Sequence, residues 1–537
     1  MAPPRAFSGV PSAARGMLCW SIGVSILFAG GPQTAGRIGR EVSTPRHLAD
    51  DEEFSTPLKA LLEYGRHLFT ADWTDQEGAG RPLAKGNGRG LSDPSRPLTG
   101  ARRFNRLSGP DANSCAGCHN APYGIPGGGG DFATSAFVLG YRFDFLTLDP
   151  DDNVPTRGSR DETGKAQTVQ SFANLRAATG LFGAGYIEMM ARQITADLQA
   201  IRGTIRLGET KALRSKGISF GELTRRKDGL WDVSKVEGIP RTSLVTVTSL
   251  DPPTLIIRPW SQSGSVISLR EYTNNSFSQH HGIQTTERFG ADADPDGDGV
   301  RNELTRADVT AVTLYQAAMA VPGRVIPNDP EIEAAVLVGE ARFREIGCAA
   351  CHIPRLPLAN QGWIFEEPNP YNAATNLRRG EARTIRMGLN DPVLPQPRLP
   401  VTKDGLVWVP AYTDFKLHDI TAGPSDFGAE PLDMNYATWS VNLAKGNRRF
   451  LTKRLWACAN APSHFHHGLF TTLRASVQAH AGEALDARQR FERLPPGEQD
   501  ALIEFLKTLQ ALPPGTSNLI VDDQFHPHPW PPAKAPK

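Results

Sequence analysis

Two short stretches, "CAGCH" from Cys115 to His119 and "CAACH" from Cys348 to His352, decide how this sequence is interpreted. In each, two thiols lie one helical turn apart and a histidine follows the second thiol. This spacing lets the thiols bind the two vinyl groups of one porphyrin while the histidine binds its iron. The alternatives are a zinc site or a disulfide within each pair, but zinc sites need a second cysteine or histidine pair at a defined spacing. The sequence therefore predicts two covalently bound haem c groups, attached through Cys115, Cys118, His119, Cys348, Cys351 and His352.

A second repeated string indicates that one unit of the chain was duplicated. "HHGIQTTER" (His280–Arg288) and "HHGLFTTLR" (His466–Arg474) are identical at six of nine positions. A Gly-x-x-x-Phe step precedes the Cys-x-x-Cys-His site in both halves. Helices are expected before each site and after each HHG string, where apolar residues recur at i, i+3, i+4 and i+7 in the second copy. The pattern predicts a mainly α fold of two cytochrome c-like haem domains in tandem, with long loops and a small β insertion in the first.

The predicted domain boundaries follow from these repeats. Arg5 and Arg15 precede an apolar stretch that is short for a bilayer span, as in a secretory signal peptide, with a membrane anchor as the alternative. The predicted segments are a signal peptide (1–36), an N-terminal haem domain (37–325) with a β insertion at about 203–262, a C-terminal haem domain (326–513) and a Pro-rich tail (514–537). Export to the periplasm agrees with haem c, which is assembled outside the cytoplasm, and the mature chain is expected to have no membrane span. The net charge of +1 gives no electrostatic case for nucleic acid.

The two copies diverge directly after the HHG string. His480 in the second copy aligns with Asp294 in the first, so His480 is the predicted sixth ligand of the second haem iron. The first copy has "DADPDGDGVRNE" instead, which fits the calcium-loop pattern D-x-[DN]-x-[DN]-G-x5-E. These carboxylates repel one another unless a cation holds them, so calcium is predicted, with a solvated acidic turn as the alternative. The candidate calcium ligands are Asp292, Asp294, Asp296, Asp298 and Glu303.

The first haem lacks a counterpart of this sixth ligand, so its iron is expected to be open to peroxide or oxygen. A nearby base can move a proton between the two peroxide oxygens during cleavage. The candidates for this role are His280, His281 and Glu188. For each HHG histidine the alternative is a structural role, in which the ring caps backbone or a haem propionate. His418, in "YTDFKLHDI", is a further candidate near the second haem.

These motifs resemble those of the bacterial di-haem oxidoreductase family. The resemblance rests on "CHNAPYGIPGGGG", "GCAACHIPRLPL", "YTDFKLHDI" and "FHHGLFTTLRASVQAHAGEA", and it extends from about Leu58 to Leu512. That family is similar to di-haem cytochrome c peroxidases and to the di-haem enzymes that mature methylamine dehydrogenase. The resemblance implies that the N-terminal haem is the peroxide site and that the C-terminal haem receives electrons. It also implies that His119 and His352 are the proximal ligands.

The predicted function is that of a periplasmic di-haem oxidoreductase that reduces hydrogen peroxide at the first haem with electrons passed through the second. The expected partners are hydrogen peroxide and a periplasmic electron donor such as a small cytochrome or a cupredoxin. Where the related peroxidases have methionine, this chain has His480, and a His/His haem typically has the lower reduction potential. Two alternatives stay open: a non-catalytic electron-transfer cytochrome, and a di-haem oxygenase or protein-modifying enzyme.

Overall fold

Helices and short strands alternate along the chain in the computed structural model. The structure describes residues 38–79, 106–108, 114–120, 122, 124, 126–128, 135–138 and 173–532, with gaps at 247, 249, 295–297, 360–362, 374–375, 437–439, 441 and 462. The predicted signal peptide and most of the stretch between residues 80 and 172 lie outside the described residues. The described residues from Val42 onwards belong to one compact unit.

The described part of the chain contains eleven α-helices, most of them short. They are α1 (Leu58–Thr70), α2 (Cys115–Cys118), α3 (Ala184–Gly203), α4 (Arg241–Leu244), α5 (Leu269–Ser276), α6 (Thr286–Phe289), α7 (Arg306–Ala318), α8 (Pro330–Glu345), α9 (Leu473–Gln478), α10 (Leu485–Arg493) and α11 (Pro496–Lys507). A π-helical turn, Phe277–His281, continues α5 directly. Helix α8 starts where its sequence favours it, since the Asp329 side chain accepts from the backbone N–H groups of Glu331 and Ile332 and Pro330 fits the first turn.

Fifteen strands of two to eight residues form six small sheets in the described residues. The three-stranded sheets are β1 (Arg106–Ser108), β2 (Ser135–Val138) and β3 (Ala173–Arg176); β4 (Glu209–Ser215), β5 (Ile218–Arg225) and β6 (Trp231–Asp232); and β14 (Leu509–Gln510), β7 (Gly323–Val325) and β15 (Ile520–Val521). The two-stranded sheets pair β8 (Leu356–Leu358) with β11 (Val407–Val409), β9 (Ile364–Glu367) with β10 (Ile385–Gly388), and β12 (Leu417–Asp419) with β13 (Arg449–Leu451). All neighbours are antiparallel except β15 and β7.

The prediction of a mainly α fold is wrong. Helix accounts for 33% of the described residues and strand for 15%, and strands occur in both halves rather than in one insertion. The β insertion expected at about 203–262 is present as β4 to β6, but nine further strands follow it. Most of these have two to four residues, which is too short for an alternating pattern to be recognised. The fold by itself does not identify two cytochrome c-like haem domains.

Two helix pairs are built alike in the two halves. Helices α1 and α7 touch at Gly65, where an added side-chain carbon would lie 2.1 Å from the carbonyl oxygen of Ala311. Helices α8 and α11 touch at Gly339, where the same atom would lie 1.9 Å from the carbonyl oxygen of Ala501. Only a hydrogen atom fits in either space, so glycine permits this backbone approach. In each half, the helix before the Cys-x-x-Cys-His site therefore packs against the helix after the HHG string.

Candidate functional site

The first Cys-x-x-Cys-His site is held by the one-turn helix α2 and by a glycine loop. Cys115 and Cys118 lie at the two ends of α2. The N–H of Gly127 donates to the carbonyl oxygen of His119 at 2.8 Å, with a φ of +115° that favours glycine. His119 Nδ1 lies 3.0 Å from the carbonyl oxygen of Gly128. Because a carbonyl only accepts, Nδ1 carries the proton and Nε2 keeps a free lone pair for a metal.

A cavity of about 330 Å³ opens beside this site. Its wall contains Cys115, Cys118 and His119 together with the rings of Phe69 and Tyr272. Charged and amide side chains also line it: Arg176, Gln262, Glu271, Asn275, Gln279, Arg288 and Gln316. The volume lies in the range of about 300–1,000 Å³ that is usual for cofactor and ligand pockets. The two thiols, the free histidine nitrogen and the mixed wall fit a covalently attached haem.

The first HHG string brings both of its histidines to this cavity. His280 and His281 end the π-helical turn, and Gly282 follows it with positive φ. His281 Nε2 lies 3.3 Å from Cys115 Sγ. His280 Nδ1 is a buried atom that has no hydrogen-bond partner among the described residues. Desolvation and the nearby His281 and His119 lower the pKa of His280 to about 3, so its imidazole is neutral. The Nδ1 atom of this neutral ring is the one that lacks a hydrogen-bond partner among the described residues.

Glu188, which the sequence analysis chose as a candidate base, does not line this cavity. Its carboxylate is fully buried in α3 and accepts from the Arg192 guanidinium at 2.5 Å. It also accepts from the backbone N–H of Leu269 and the side-chain amide of Asn369, both at 2.6 Å. These contacts join α3 to the start of α5 and give Glu188 a structural position.

Glu271 is a carboxylate that does line the cavity, and sequence reasoning missed it. Ser268 Oγ accepts from the Glu271 N–H at 3.0 Å, and Glu271 Oε2 accepts from the Ile267 N–H at 2.6 Å. Burial raises the pKa of Glu271, although the Ile267 hydrogen bond and the charges of Arg258 and Arg288 oppose this shift. The pattern Ser-x-x-Glu in "SLRE" predicts a helix start, but it gives no indication of a cavity.

The second site has two histidine rings that lie close to each other. His352 Nδ1 lies 3.1 Å from the carbonyl oxygen of Tyr412, and His480 Nδ1 lies 2.8 Å from that of Ser476, so both rings keep Nε2 free. The two ring centroids are 6.4 Å apart and the rings are inclined at 69°. Imidazoles bound through nitrogen at about 2 Å from one metal have centroids about 6 Å apart. This spacing therefore suits two histidines that would bind one iron.

Equivalent aromatic residues lie beside the two sites. The phenylalanine of each Gly-x-x-x-Phe step lies beside the site histidine, with Phe69 at 6.1 Å from His119 and Phe343 at 6.4 Å from His352 between ring centroids. Each phenylalanine also contacts an aromatic ring on the partner helix, at 5.4 Å in the first half and 5.3 Å in the second. The repeated sequence thus has a repeated local structure.

His418 is held by carboxylates next to the second site. Its Nε2 lies 2.9 Å from Asp414 and its Nδ1 lies 2.7 Å from Glu483. Burial lowers the pKa of His418, but hydrogen bonds to Asp414 and Cys351 outweigh it and raise that pKa to about 11. Cys351, Asp414 and His418 are the one group of at least three potential metal ligands whose atoms lie within 4.8 Å of one another in the described residues. Thiol, carboxylate and imidazole also suit zinc, so this group alone does not identify the metal.

The histidines of the second HHG string bond to backbone. His466 is buried, and its Nε2 donates to the carbonyl oxygen of Gly428 at 2.7 Å. His467 is also buried, and its Nδ1 accepts from the N–H of Leu469 at 3.0 Å. These contacts agree with the structural alternative for this copy, in which the rings fix the loop that precedes α9.

The acidic loop is described in part. Asp296 lies outside the described residues, and Asp294 accepts from two backbone N–H groups of the loop at 3.1 Å. Asp292 binds the side-chain amide of Asn302 at 2.8 Å. Glu303 is buried, and its Oε2 accepts from the N–H of Gln284 at 2.6 Å. Calcium binding by Asp292, Asp294, Asp296, Asp298 and Glu303 stays a prediction.

Residues from the second half form part of the wall of the first cavity. Met434 and Tyr436 belong to its lining although their sequence positions lie far from Cys115. Arg176 holds this part of the second half beside the cavity, since its guanidinium donates to the Glu430 carboxylate at 2.5 and 2.8 Å. No motif marks these four residues, so sequence reasoning had no signal by which to find them.

Comparison with known proteins yields only weak structural similarity. No family model and no curated protein matches the chain. Among solved structures, it is similar to hydrazine synthase of Kuenenia stuttgartiensis over 58% of this chain and 80% of that chain, with 16% identity and a TM-score of 0.25. This score does not establish a shared fold. In the part of the chain that the structure describes, no helix is long and apolar enough to cross a membrane.

Proposed function

We propose that this chain is a di-haem c-type oxidoreductase that reduces hydrogen peroxide at the Cys115–His119 site and relays electrons through the Cys348–His352 site. The observation that carries the proposal is the difference between the two sites. The ring centroids of His352 and His480 lie 6.4 Å apart, whereas His119 borders a cavity with charged and amide side chains in its wall. This contrast supports a six-coordinate iron at the second site and an accessible iron at the first.

The haem groups would be held by the two Cys-x-x-Cys-His motifs, with thioethers at the cysteines. His119 and His352 would be the proximal ligands and His480 the sixth ligand at the second site. When bound, haem c supplies an iron that gains or loses one electron at a time and, where a coordination position is open, reacts with peroxide. We place the protein in the periplasm, because haem c is attached outside the cytoplasm and the sequence begins like a signal peptide. A small cytochrome or a cupredoxin would be the electron donor.

Glu271 and His280 are the residues to which we assign the proton chemistry. Both line the cavity beside His119. The raised pKa of Glu271 suits a carboxylate that takes a proton from one peroxide oxygen and returns it to the other. The unfilled Nδ1 of His280 offers a hydrogen-bond position to peroxide. The Arg288 guanidinium, in the same wall, supplies positive charge where the leaving oxygen becomes negative.

The test combines mass spectrometry with a peroxide assay. Mass spectrometry of the purified protein is expected to show two covalently attached haem groups. Peroxide consumption by the reduced protein is then compared for the wild type, Glu271→Gln and the control Glu237→Gln, which alters an exposed carboxylate paired with Lys416. We expect Glu271→Gln to slow the reaction by about 100-fold at unchanged haem content, and the control to have no effect. A wild type that carries both haems and does not consume peroxide would contradict the proposal.

A second candidate function is that of a non-catalytic electron carrier. The Nδ1 atom of His280, which lacks a hydrogen-bond partner among the described residues, favours an electron carrier, because this nitrogen is as suited to binding iron as to binding peroxide. The variant His280→Ala separates the two candidates. It would slow a peroxidase, but in a carrier it would open a coordination position and create a peroxide reaction that the wild type lacks.

A further inference from the structure

A continuous series of hydrogen bonds joins the two proximal histidines. Five bonds of 2.7 to 3.1 Å connect His119 to His352. Between them lie four two-residue segments: Gly127-Gly128, Gly180-Leu181, Arg454-Leu455 and Ala411-Tyr412. The segments Gly127-Gly128 and Ala411-Tyr412 accept both of their bonds, Arg454-Leu455 donates both, and Gly180-Leu181 donates one and accepts one. Short pieces of main chain therefore link the bonds and fix the acceptor of one histidine ring relative to the acceptor of the other.

The part of the series next to His119 consists of backbone. His119 Nδ1 donates to the carbonyl oxygen of Gly128 at 3.0 Å. The neighbouring carbonyl, that of Gly127, accepts from the N–H of Leu181 at 2.7 Å. The position of the His119 acceptor therefore depends on the segment Gly180-Leu181, which precedes α3.

The part next to His352 has the same construction. His352 Nδ1 donates to the carbonyl oxygen of Tyr412 at 3.1 Å. The preceding carbonyl, that of Ala411, accepts from the N–H of Leu455 at 3.1 Å. The position of the His352 acceptor therefore depends on the segment Arg454-Leu455.

Arg454 joins these two parts. Its Nη2 donates to the carbonyl oxygen of Gly180 at 3.0 Å, and its guanidinium lies 5.0 Å from the centroid of the Trp260 ring. Desolvation lowers the pKa of Arg454 to about 10, so the side chain stays charged at neutral pH and the bond is charge-assisted. Apart from the histidine rings, Arg454 is the one side chain that contributes a bond to the series. One substitution can therefore break the series at its middle.

We propose that Arg454 is a positioning residue that couples the two sites, an inference that rests on the proposed di-haem function. The hydrogen bond at Nδ1 of a metal-binding histidine sets how strongly Nε2 donates to the metal. A change of charge at one iron would alter the hydrogen bond of its own histidine, and the displacement of that acceptor would pass through the series to the acceptor of the other histidine. No electron or proton crosses Arg454, because the effect acts through the positions of the two carbonyl acceptors.

The test is a redox titration followed by electron paramagnetic resonance. In the wild type we expect the ferric signal of the first haem to shift when the second haem is reduced. Arg454→Met removes the guanidinium and is expected to abolish this shift. It is also expected to raise the potential of the first haem, because a looser Gly128 carbonyl weakens the His119 ligand. Arg454→Lys, which keeps a cationic donor, is expected to restore part of the shift.

Arg398→Met is the matched control. Arg398 is also buried, donates to the backbone carbonyls of Met319 and Ala318, and has a pKa lowered by burial to about 10, but it lies outside the series. We expect it to reduce stability and leave the shift unchanged. If Arg454→Met does not fold, Arg454→Gln is measured in its place. A full shift in an Arg454 variant that holds both haems, or no shift in the wild type, would overturn the inference. A wild type without covalently attached haem, seen separately by mass spectrometry, would refute the proposed function and the inference with it.

Discussion

In the proposed function, His480 is the residue that sets the reduction potential of the second haem. Replacing it with methionine is predicted to raise the reduction potential of the second haem, because a thioether ligand favours the reduced iron more than imidazole does. A tenfold change in the ratio of reduced to oxidised haem corresponds to about 59 mV for one electron, and we expect a shift of at least this size in a potentiometric titration. The control His464→Gln alters a histidine other than His352 and His480, and it should leave the potential unchanged. An unchanged potential in His480→Met would mean that His480 is not an axial ligand.

Glu271 is predicted to determine the acid side of the pH profile for peroxide reduction. The carboxylate is the form that accepts a proton, so activity is present above its pKa and is lost as the pH falls through it. Burial raises this pKa above the ordinary value for glutamate of about 4.3, Glu188 raises it further, and Arg258 and Arg288 oppose the shift. As the pH is lowered, the measured rate should therefore begin to fall at a pH above the range in which an ordinary glutamate titrates. The variant Glu271→Gln should lack this dependence on pH. If Glu271→Gln loses activity at low pH in the same way as the wild type, Glu271 is not the base.

Single residues could be proposed as ligands where a local spacing encodes the chemistry. The Cys-x-x-Cys-His motif requires no knowledge of the fold, and the alignment of the two copies was enough to choose His480 as a candidate, whose binding to iron stays a prediction. Glu188 and Glu271 show where this approach fails. Both are glutamates near apolar residues, but which of them borders the cavity depends on how α3 and α5 pack, and no spacing in the sequence encodes that.

The glycine contacts between helices predict a large effect of one methyl group. Gly339→Ala would place a carbon 1.9 Å from the Ala501 carbonyl oxygen and so force α8 and α11 apart. We expect this overpacking to lower the free energy of unfolding by about 1–3 kcal/mol, measured by denaturant titration, and Gly65→Ala to behave similarly. Gly497→Ala is the control, because nothing lies within 4 Å of its added carbon. That change should be neutral or stabilise the helix by up to about 1 kcal/mol. Equal stability of Gly339→Ala and Gly497→Ala would contradict the close helix contact.

The acidic loop gives a prediction that depends on its sequence pattern. If Asp292, Asp294, Asp296, Asp298 and Glu303 bind calcium, a chelator will lower the melting temperature, because a ligand that binds only the folded state stabilises it. Calorimetry with and without added calcium measures this directly. The variant Asp296→Asn should reduce the difference. Identical melting temperatures in chelator and in calcium would favour the solvated acidic turn.

Helices were predictable from the sequence to a greater extent than strands. The apolar periodicity and the Gly-x-x-x-Phe steps indicated the helices that became α1, α8 and α11, and the turn residues Lys-Asp-Gly indicated the hairpin of β5 and β6. Strands such as β12 and β13 contain three residues each and pair across about thirty residues of intervening chain. Their pairing depends on tertiary contacts, so the mainly α prediction could not be corrected from local pattern.

In the whole molecule, the two halves are joined at the sites themselves. Met434 and Tyr436 of the second half line the first cavity, and Arg176 binds Glu430 across the halves. Arg454 reaches from the second half to Gly180 beside the first site. The two repeated halves therefore form one structure. Residues of both halves build the wall of the first cavity, and residues of both halves make the hydrogen-bond series.

The central claim is that the two haem irons are unequal, one six-coordinate and one accessible. The electron paramagnetic resonance spectrum of the purified protein, oxidised and then reduced by one electron, before and after peroxide is added, tests this most directly. We predict a low-spin ferric signal from the iron between His352 and His480, and a high-spin ferric signal from the first iron that peroxide abolishes. Two low-spin signals that peroxide leaves unchanged, or a protein without ferric haem signals, would contradict the account.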